Sequence, residues 1–295
     1  MTVAFIGLGA IGLPMATTLI RKGIPVVAFD LVEENVRQAV QAGARGAENA
    51  AQAAAEADAV ITMVVTGAQS RHVYLEDGVV AHAKPGSIFM DCSTVDIESS
   101  RILQEAAAAA GHDMVDAPVS GGPPRAAEGK LAIMAGGTEK AFNRARPFLE
   151  AMGSSVHHMG SGGTGLATKI CNNLLTGINL AGASEAFTLG ERLGLDTEKL
   201  FKVISASSGN SWVLQNLCPV AGPVPTSPAN HDYKAQGAAY TLQKDLGLAQ
   251  AAALLTKVPS PMGSAALSLY TMLDNAGLNH LDCCAVIKMY QAGKR

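Results

Sequence analysis

Val3-Ala4-Phe5-Ile6-Gly7-Leu8-Gly9-Ala10-Ile11-Gly12 joins a short apolar run to three glycines spaced G-x-G-x-x-G. The apolar run reads as a buried strand. The residues from Met15 through Leu19 to Arg21-Lys22-Gly23 read as a helix that Gly23 ends. Strand, glycine turn and helix in that order make a cradle for a pyrophosphate. Gly7 permits the tight turn, Gly9 lets the backbone approach the phosphates, and Gly12 lets helix and strand pack closely. The phosphates then meet the N–H groups around Ala10 and Ile11 at the positive end of the helix. A second apolar run, Val26 to Phe29, ends at Asp30, near the offset of roughly 20 residues at which an acid meets an adenosine ribose. A carboxylate there accepts from both ribose hydroxyls and repels a 2′-phosphate. No Arg or Lys follows it in Leu31-Val32-Glu33-Glu34, so the pattern favours NAD over NADP.

Outward from this segment, short Val- and Ile-rich runs alternate with longer Ala-rich amphipathic stretches up to about residue 160. The strands expected are Val3 to Ile6, Val26 to Phe29, Ala59 to Val64, Ile88 to Asp91, Met114 to Val119, Leu131 to Ala135 and Ser155 to His158. Such alternation is the mark of parallel strands with crossover helices, hence an α/β, Rossmann-type doubly wound sheet over residues 1–162. After Gly160-Ser161-Gly162-Gly163 the strand runs stop. Leu166, Ile170, Leu174 and Ile178 then recur every four residues and predict a long helix. Asp196 stands as an N-cap before Leu200, and Leu242, Leu246, Ala249 and Ala253 mark a further helix, so residues 163–295 are expected to be all α. Four prolines between Cys218 and Asn230 predict a long ordered loop.

With 295 residues and 48% hydrophobic content, the chain has material for two cores. A net charge of −3 offers no broad positive field for nucleic acid or anionic lipid, and no apolar stretch is long enough to span a bilayer. The chain enters its first strand without a secretion-signal pattern, and its five cysteines are scattered, so reduced thiols and a cytoplasmic location are expected. No Cys or His spacing suits a metal.

Two constellations carry chemistry. Gly165, Lys169, Asn173 and Gly177 fall every four residues on the helix that opens the second domain, placing an amine and an amide on one face between two positions without side chains. Asp116-Ala117-Pro118-Val119-Ser120-Gly121-Gly122 follows an apolar strand and belongs at the carboxyl edge of the sheet. There its Ser-Gly-Gly turn presents backbone N–H groups suited to a carboxylate. Asp91-Cys92-Ser93-Thr94 ends another strand on the nicotinamide side.

These motifs, with Pro14-Met15, Gly163-Thr164-Gly165, Asn172-Asn173 and Lys244-Asp245-Leu246, resemble those of the β-hydroxyacid dehydrogenases over essentially the whole chain. Ser207-Ser208-Gly209-Asn210-Ser211-Trp212 and Pro223 to Asn230 are similar to substrate-domain loops of the 3-hydroxyisobutyrate dehydrogenase branch. The resemblance implies NAD-dependent oxidation of a small hydroxy acid with Lys169 as general acid/base. It implies that Ser120, Gly121 and Gly122 hold the substrate carboxylate, and that Asn173 orients substrate and lysine. Thr94, Lys244 and the Val64-Val65 segment are implied to touch the cofactor, and a homodimer or homotetramer is implied as the assembly. Lysine serves as the base when burial and a positive nicotinamide favour its neutral form. Trp212 is a candidate for lining the pocket of an α-methyl group.

Departures from the family pattern are Pro123-Pro124-Arg125 after the Ser-Gly-Gly, Val65 where proline is usual, Gln69 where asparagine is usual, and Gly237 where an aromatic often closes the nicotinamide pocket. They bear on substrate size and cofactor affinity, and Arg125 adds a positive charge near the substrate turn. Alternatives are a relative acting on tartronate semialdehyde, glyoxylate or succinic semialdehyde, and a dinucleotide-binding regulator without chemistry.

Overall fold

A computed structural model describes residues 1–291. The apolar runs form strands β1 (Val3–Ile6), β2 (Val26–Phe29), β3 (Arg45–Gly46), β4 (Ala59–Thr62), β5 (Ile88–Asp91), β6 (Asp113–Asp116), β7 (Val119–Ser120), β8 (Leu131–Gly136) and β9 (Gly153–Gly160). They make one sheet in the order β3-β2-β1-β4-β5-β6-β8-β7, with β9 beside β8. Strands β1 to β6 are parallel throughout. Strand β8 runs antiparallel to β6 and β7, and β9 follows it in parallel. The expectation of parallel strands throughout therefore holds only as far as β6. The single run expected from Met114 to Val119 is also two strands: Pro118 has no N–H for the ladder, and its carbonyl accepts from Met134 N–H at 3.1 Å as the chain turns.

Between the strands lie α1 (Gly12–Arg21), α2 (Glu33–Gln41), α3 (Ala50–Ala55), α4 (Gly67–Arg71), α5 (Val79–His82), α6 (Ile97–Ala109), α7 (Gly122–Glu128) and α8 (Glu139–Met152). They cover both faces of the sheet. Along β1, Val3 and Phe5 enter the core built with Met15 and Leu19, whereas Ala4 and Ile6 enter the core built with Tyr74 and Leu103. Burial on both faces is why these strands are apolar without alternation.

From Thr164 the chain is helical: α9 (Thr164–Arg192), α10 (Thr197–Ser205), α11 (Trp212–Leu217), α12 (Ala239–Thr256), α13 (Pro261–Asn275) and α14 (Lys288–Gln291). The packing separates a first unit, Met1–Lys169, from a second that starts at Ile170, so the first turns of α9 belong with the sheet. In the second unit Leu180, Leu242, Leu246 and Tyr270 share a core. Asp196 caps α10 by accepting Lys199 N–H at 2.8 Å. The proline-rich segment is ordered around buried Cys218, Val224 and Ser227, and Ser227 Oγ donates to Cys218 O at 2.7 Å. All five cysteines are free thiols. Among the described residues no helix is long and apolar enough to cross a membrane.

The glycine turn shows why two of its residues tolerate change differently. A Cβ on Gly12 would run into the carbonyl of Gly7 and the Phe5 ring, whereas a Cβ on Gly9 would meet nothing within 4 Å. Gly12→Ala is expected to destabilise the fold by about 1–3 kcal/mol in urea unfolding. Gly9→Ala should leave the midpoint almost where it was, and equal losses for the two variants would contradict this packing.

Candidate active site

Ile11 precedes α1 as its N-cap, with no side chain capping the helix N–H groups, and Gly9 and Ala10 beside it are exposed. The open space over Gly9 and the uncapped helix end fit a pyrophosphate. Asp30 has a structural task that the sequence did not suggest. Its Oδ2 accepts from Leu8 N–H at 2.5 Å and its Oδ1 from Val32 N–H at 2.8 Å, pinning the glycine turn to the loop after β2. A carboxylate oxygen has a second lone pair, so a ribose can still be bound. A groove of about 590 Å³ adjoins it, lined by Phe29, Asp30, Leu31, Val36, Ala47 and Glu48 among others. Arg37, the one cation lining it, is held by Glu34 through bonds of 3.0 and 2.5 Å. These residues fit the adenosine half of a nicotinamide dinucleotide without a 2′-phosphate. Another groove, about 450 Å³ around Met1, Lys84, Arg144 and Phe148, lies at the opposite, amino edge of the strands, away from these loops.

The loops after β4 and β5 are tied together. Val64 N–H donates to Ser93 Oγ at 2.9 Å, while Thr62 Oγ1 and Ser93 N–H donate to Asp91 Oδ1 at 2.9 and 3.0 Å. Tyr74 Oη lies 3.2 Å from Thr62 Oγ1, and burial, with the Asp91 charge, pushes its phenol well above the usual range, so it stays a neutral hydroxyl. Thr94 is half-buried beside this network and Val65 is exposed. Gln69 closes a capping box with Thr66 at the start of α4, which accounts for a long amide at that position.

Ser120 ends β7. Gly121 and Gly122 follow at φ +138° and +71°, which non-glycine residues rarely adopt, so the turn that presents their N–H groups depends on glycine. The exposed Arg125 lays its aliphatic stem against Gly121.

Lys169, on α9, is buried at 7% exposure. What positions its helix is a residue to which the sequence reading gave no role of its own. Asp116, at the end of β6 and 1% exposed, accepts from Gly163 N–H at 2.7 Å and Gln104 Nε2 at 2.9 Å through Oδ1, and from Leu166 N–H at 2.8 Å through Oδ2. Burial pushes its carboxyl up to about 6, against the opposing pull of those N–H donors. A carboxyl raised in this way is easier to keep protonated in the fold than in the unfolded chain. Stability from this group is therefore greatest below about 4 and falls as pH rises through 6.

In the second unit, Asn173 is buried and donates from Nδ2 to Asp245 Oδ2 at 2.6 Å, while Lys244 Nζ stands 3.2 Å from Asp245 Oδ1. Asp245 was quoted in a motif but not read as the partner of Asn173. Gly177 faces Leu246, whose side chain leaves no room for a Cβ there. Trp212 opens α11 at 53% exposure, and Gly237 N–H donates to Asp282 Oδ2 at 2.9 Å with open space over its Cα. Among the described residues no group of three or more His, Cys, Asp or Glu side chains is placed to hold a metal ion.

Residues 2–160 match the model of the NAD binding domain of 6-phosphogluconate dehydrogenase, and residues 163–290 match that described as NAD-binding of NADP-dependent 3-hydroxyisobutyrate dehydrogenase. The chain is 42% identical to an NAD-dependent L-serine dehydrogenase of Pseudomonas aeruginosa, covering 98% of this chain and 97% of that protein. It is also 42% identical to a probable 3-hydroxyisobutyrate dehydrogenase of Mycobacterium bovis, covering 99% and 98%. A solved structure described as Mycobacterium tuberculosis 3-hydroxyisobutyrate dehydrogenase with L-serine superposes with a TM-score of 0.93 at 41% identity, covering 98% of this chain and 99% of that one. With both halves matched and relatives aligned end to end, the chain belongs to the β-hydroxyacid dehydrogenases, the nicotinamide-dependent family that includes the 3-hydroxyisobutyrate dehydrogenases.

Proposed function

We propose that this chain oxidises 3-hydroxyisobutyrate to methylmalonate semialdehyde with NAD, and that Lys169 is its general acid/base. One observation carries the reading: an amine buried on a helix whose start is bonded to the strand end that leads, four residues on, into a Ser-Gly-Gly turn. The substrate is a primary alcohol one carbon removed from a carboxylate-bearing centre. In this reading the N–H groups of Gly121 and Gly122 and the hydroxyl of Ser120 hold the carboxylate, and Asn173 orients the alcohol. Bound NAD supplies a hydride acceptor. Lys169 Nζ, as the neutral amine, takes the hydroxyl proton while the carbon loses its hydride, so alcohol becomes aldehyde and the amine becomes ammonium. In reduction the ammonium returns the proton to the carbonyl oxygen. Thr94, Lys244 and the Val64-Val65 segment complete the cofactor site, and Trp212 is assigned to the neighbourhood of the α-methyl group. The exposed apolar residues of the helical unit, Leu254, Leu255 and Met262 among them, support a homodimer or homotetramer.

L-serine is the second reading, favoured by a relative of that activity at the same 42% identity. Serine carries an α-ammonium where 3-hydroxyisobutyrate carries a methyl, and the reacting alcohol is the same. NADH formation from 3-hydroxyisobutyrate, L- and D-serine, glycerate and 4-hydroxybutyrate compares them directly. The highest kcat/KM is expected on 3-hydroxyisobutyrate, and a higher value on L-serine would replace the first reading by the second.

Lys169→Ala should bind NADH as the unmodified protein does and lose kcat by a factor on the order of 10³. A near-normal kcat would remove Lys169 from the reaction. For the cofactor, Asp30→Asn with Leu31→Arg should move the NAD to NADP ratio of kcat/KM toward NADP by about tenfold, or about 1.4 kcal/mol. An unchanged ratio would show that Asp30 does not read the ribose.

A further inference from the structure

We propose that Asp116 is a positioning residue for the acid/base lysine: its carboxylate locks the first turn of α9 to the segment that leads into Ser120-Gly121-Gly122. The inference rests on the functional reading above and adds to it the group that sets the amine against the carboxylate turn.

The argument begins with donors and acceptors. Gly163 N–H, Leu166 N–H and Gln104 Nε2 converge on two oxygens of one side chain, and the three bonds measure 2.7, 2.8 and 2.9 Å. Only a side chain that accepts at both oxygens serves all three, and an amide would turn an N–H₂ toward a backbone N–H. Two of the donors bracket the start of α9 at Thr164, so the carboxylate fixes both where the helix begins and how it is rotated. Lys169 follows Leu166 by three residues, less than one turn of a stiff helix. The direction of its Cα–Cβ bond is therefore set by the same anchor.

The surroundings are emptied to allow this. A Cβ on Gly136 or on Gly165 would run into the carboxylate, and one on Gly162 into the Gln104 amide that holds Oδ1. Side chains are absent at three points, one at the end of β8 and two around the start of α9, so that strand end, helix start and carboxylate can meet. On its other side Asp116 continues through fully buried Ala117 and Pro118, whose fixed φ leaves little slack before Ser120. One buried group thus joins the two parts of the proposed site that must agree in position. The pairing serves position more than stability, because burial makes the ionised form costly to hold.

Asp116→Asn tests this, with kcat counted per NADH-binding molecule, so that a loss of folded protein is not read as a loss of rate. The expected result is a fall of about 10- to 100-fold in kcat per site, with KM for the acid raised and NADH affinity within about twofold. Amide exchange should quicken over residues 163–169 and remain as before in β1 and α1. A purely structural role would lower the number of NADH-binding molecules and leave kcat per site unchanged, and that result would overturn the proposal. Gln104→Leu keeps the carboxylate and removes one donor. It should give a smaller fall, about three- to tenfold, and decides the matter if the asparagine variant does not fold. If the unmodified protein binds NADH but oxidises none of the acids, the functional reading fails. Amide exchange then decides alone: faster exchange at 163–169 supports the anchor and unchanged exchange overturns it.

Discussion

Parallel pairing from β1 through β6 constrains everything that follows. Strands that all run one way must each be followed by a return over a face, so every turn after a strand end emerges at one edge of the sheet. Gly7 to Ile11, Asp30, Val64 and Thr94 all stand after such ends, and Asp116 closes the series at the end of β6. The amino edge has a groove of its own but none of these residues. Antiparallel β7 and β8 do not break the arrangement. β8 returns antiparallel between β6 and β7, and Ser120 stands four residues after Asp116.

The parts of this fold that were legible in the sequence are those whose cause is local. β1, β2, β4 and β5 are buried on both faces and read as unbroken apolar runs, and α9 announces itself by a four-residue recurrence. β3 was not legible, because it is two exposed residues paired to β2 and has no apolar run. The break between β6 and β7 was signalled by Pro118, but the antiparallel run of β8 after α7 depends on which neighbours that strand finds, and no local pattern carries that. The same division runs through the candidate site residues. Lys169, Asn173 and the glycines announced themselves by spacing. The acids that hold their surroundings did not, since Asp116 meets Gly163 across 47 residues and Asp245 meets Asn173 across 72.

Two buried aspartates in the first unit show how one residue type is put to different uses. Asp91 accepts from Thr62 and Ser93 at a place where two neighbouring strands end, and the hydroxyls around it bind the two loops together. Asp116 accepts mainly from backbone, and that backbone belongs to a helix start. Above about 6 it is ionised, and its charge then lies at the positive end of α9, where a negative group interacts favourably with the helix dipole. That favourable interaction and the three donors do not fully offset its desolvation, as the raised pKa shows. A neutral, better packed anchor would suit stability, whereas a two-oxygen acceptor suits orientation.

What separates the candidate substrates lies away from the groups to which the proposed chemistry is assigned. 3-Hydroxyisobutyrate and L-serine share the carboxylate and the primary alcohol, so in the proposed reaction an amine on α9 and a glycine turn after β7 would treat them alike, and relatives of both kinds stand at 42% identity. Selectivity must come from the surroundings of the α-carbon. An apolar lining gains only about 1–3 kcal/mol from a methyl group. The same lining excludes an ammonium more strongly, because a charge taken out of water without a partner costs several kcal/mol. A lining with a fixed acceptor reverses the order. The ratio of kcat/KM on the two acids is therefore a direct reading of polarity at that one carbon, independent of how well the lysine and the glycine turn are placed.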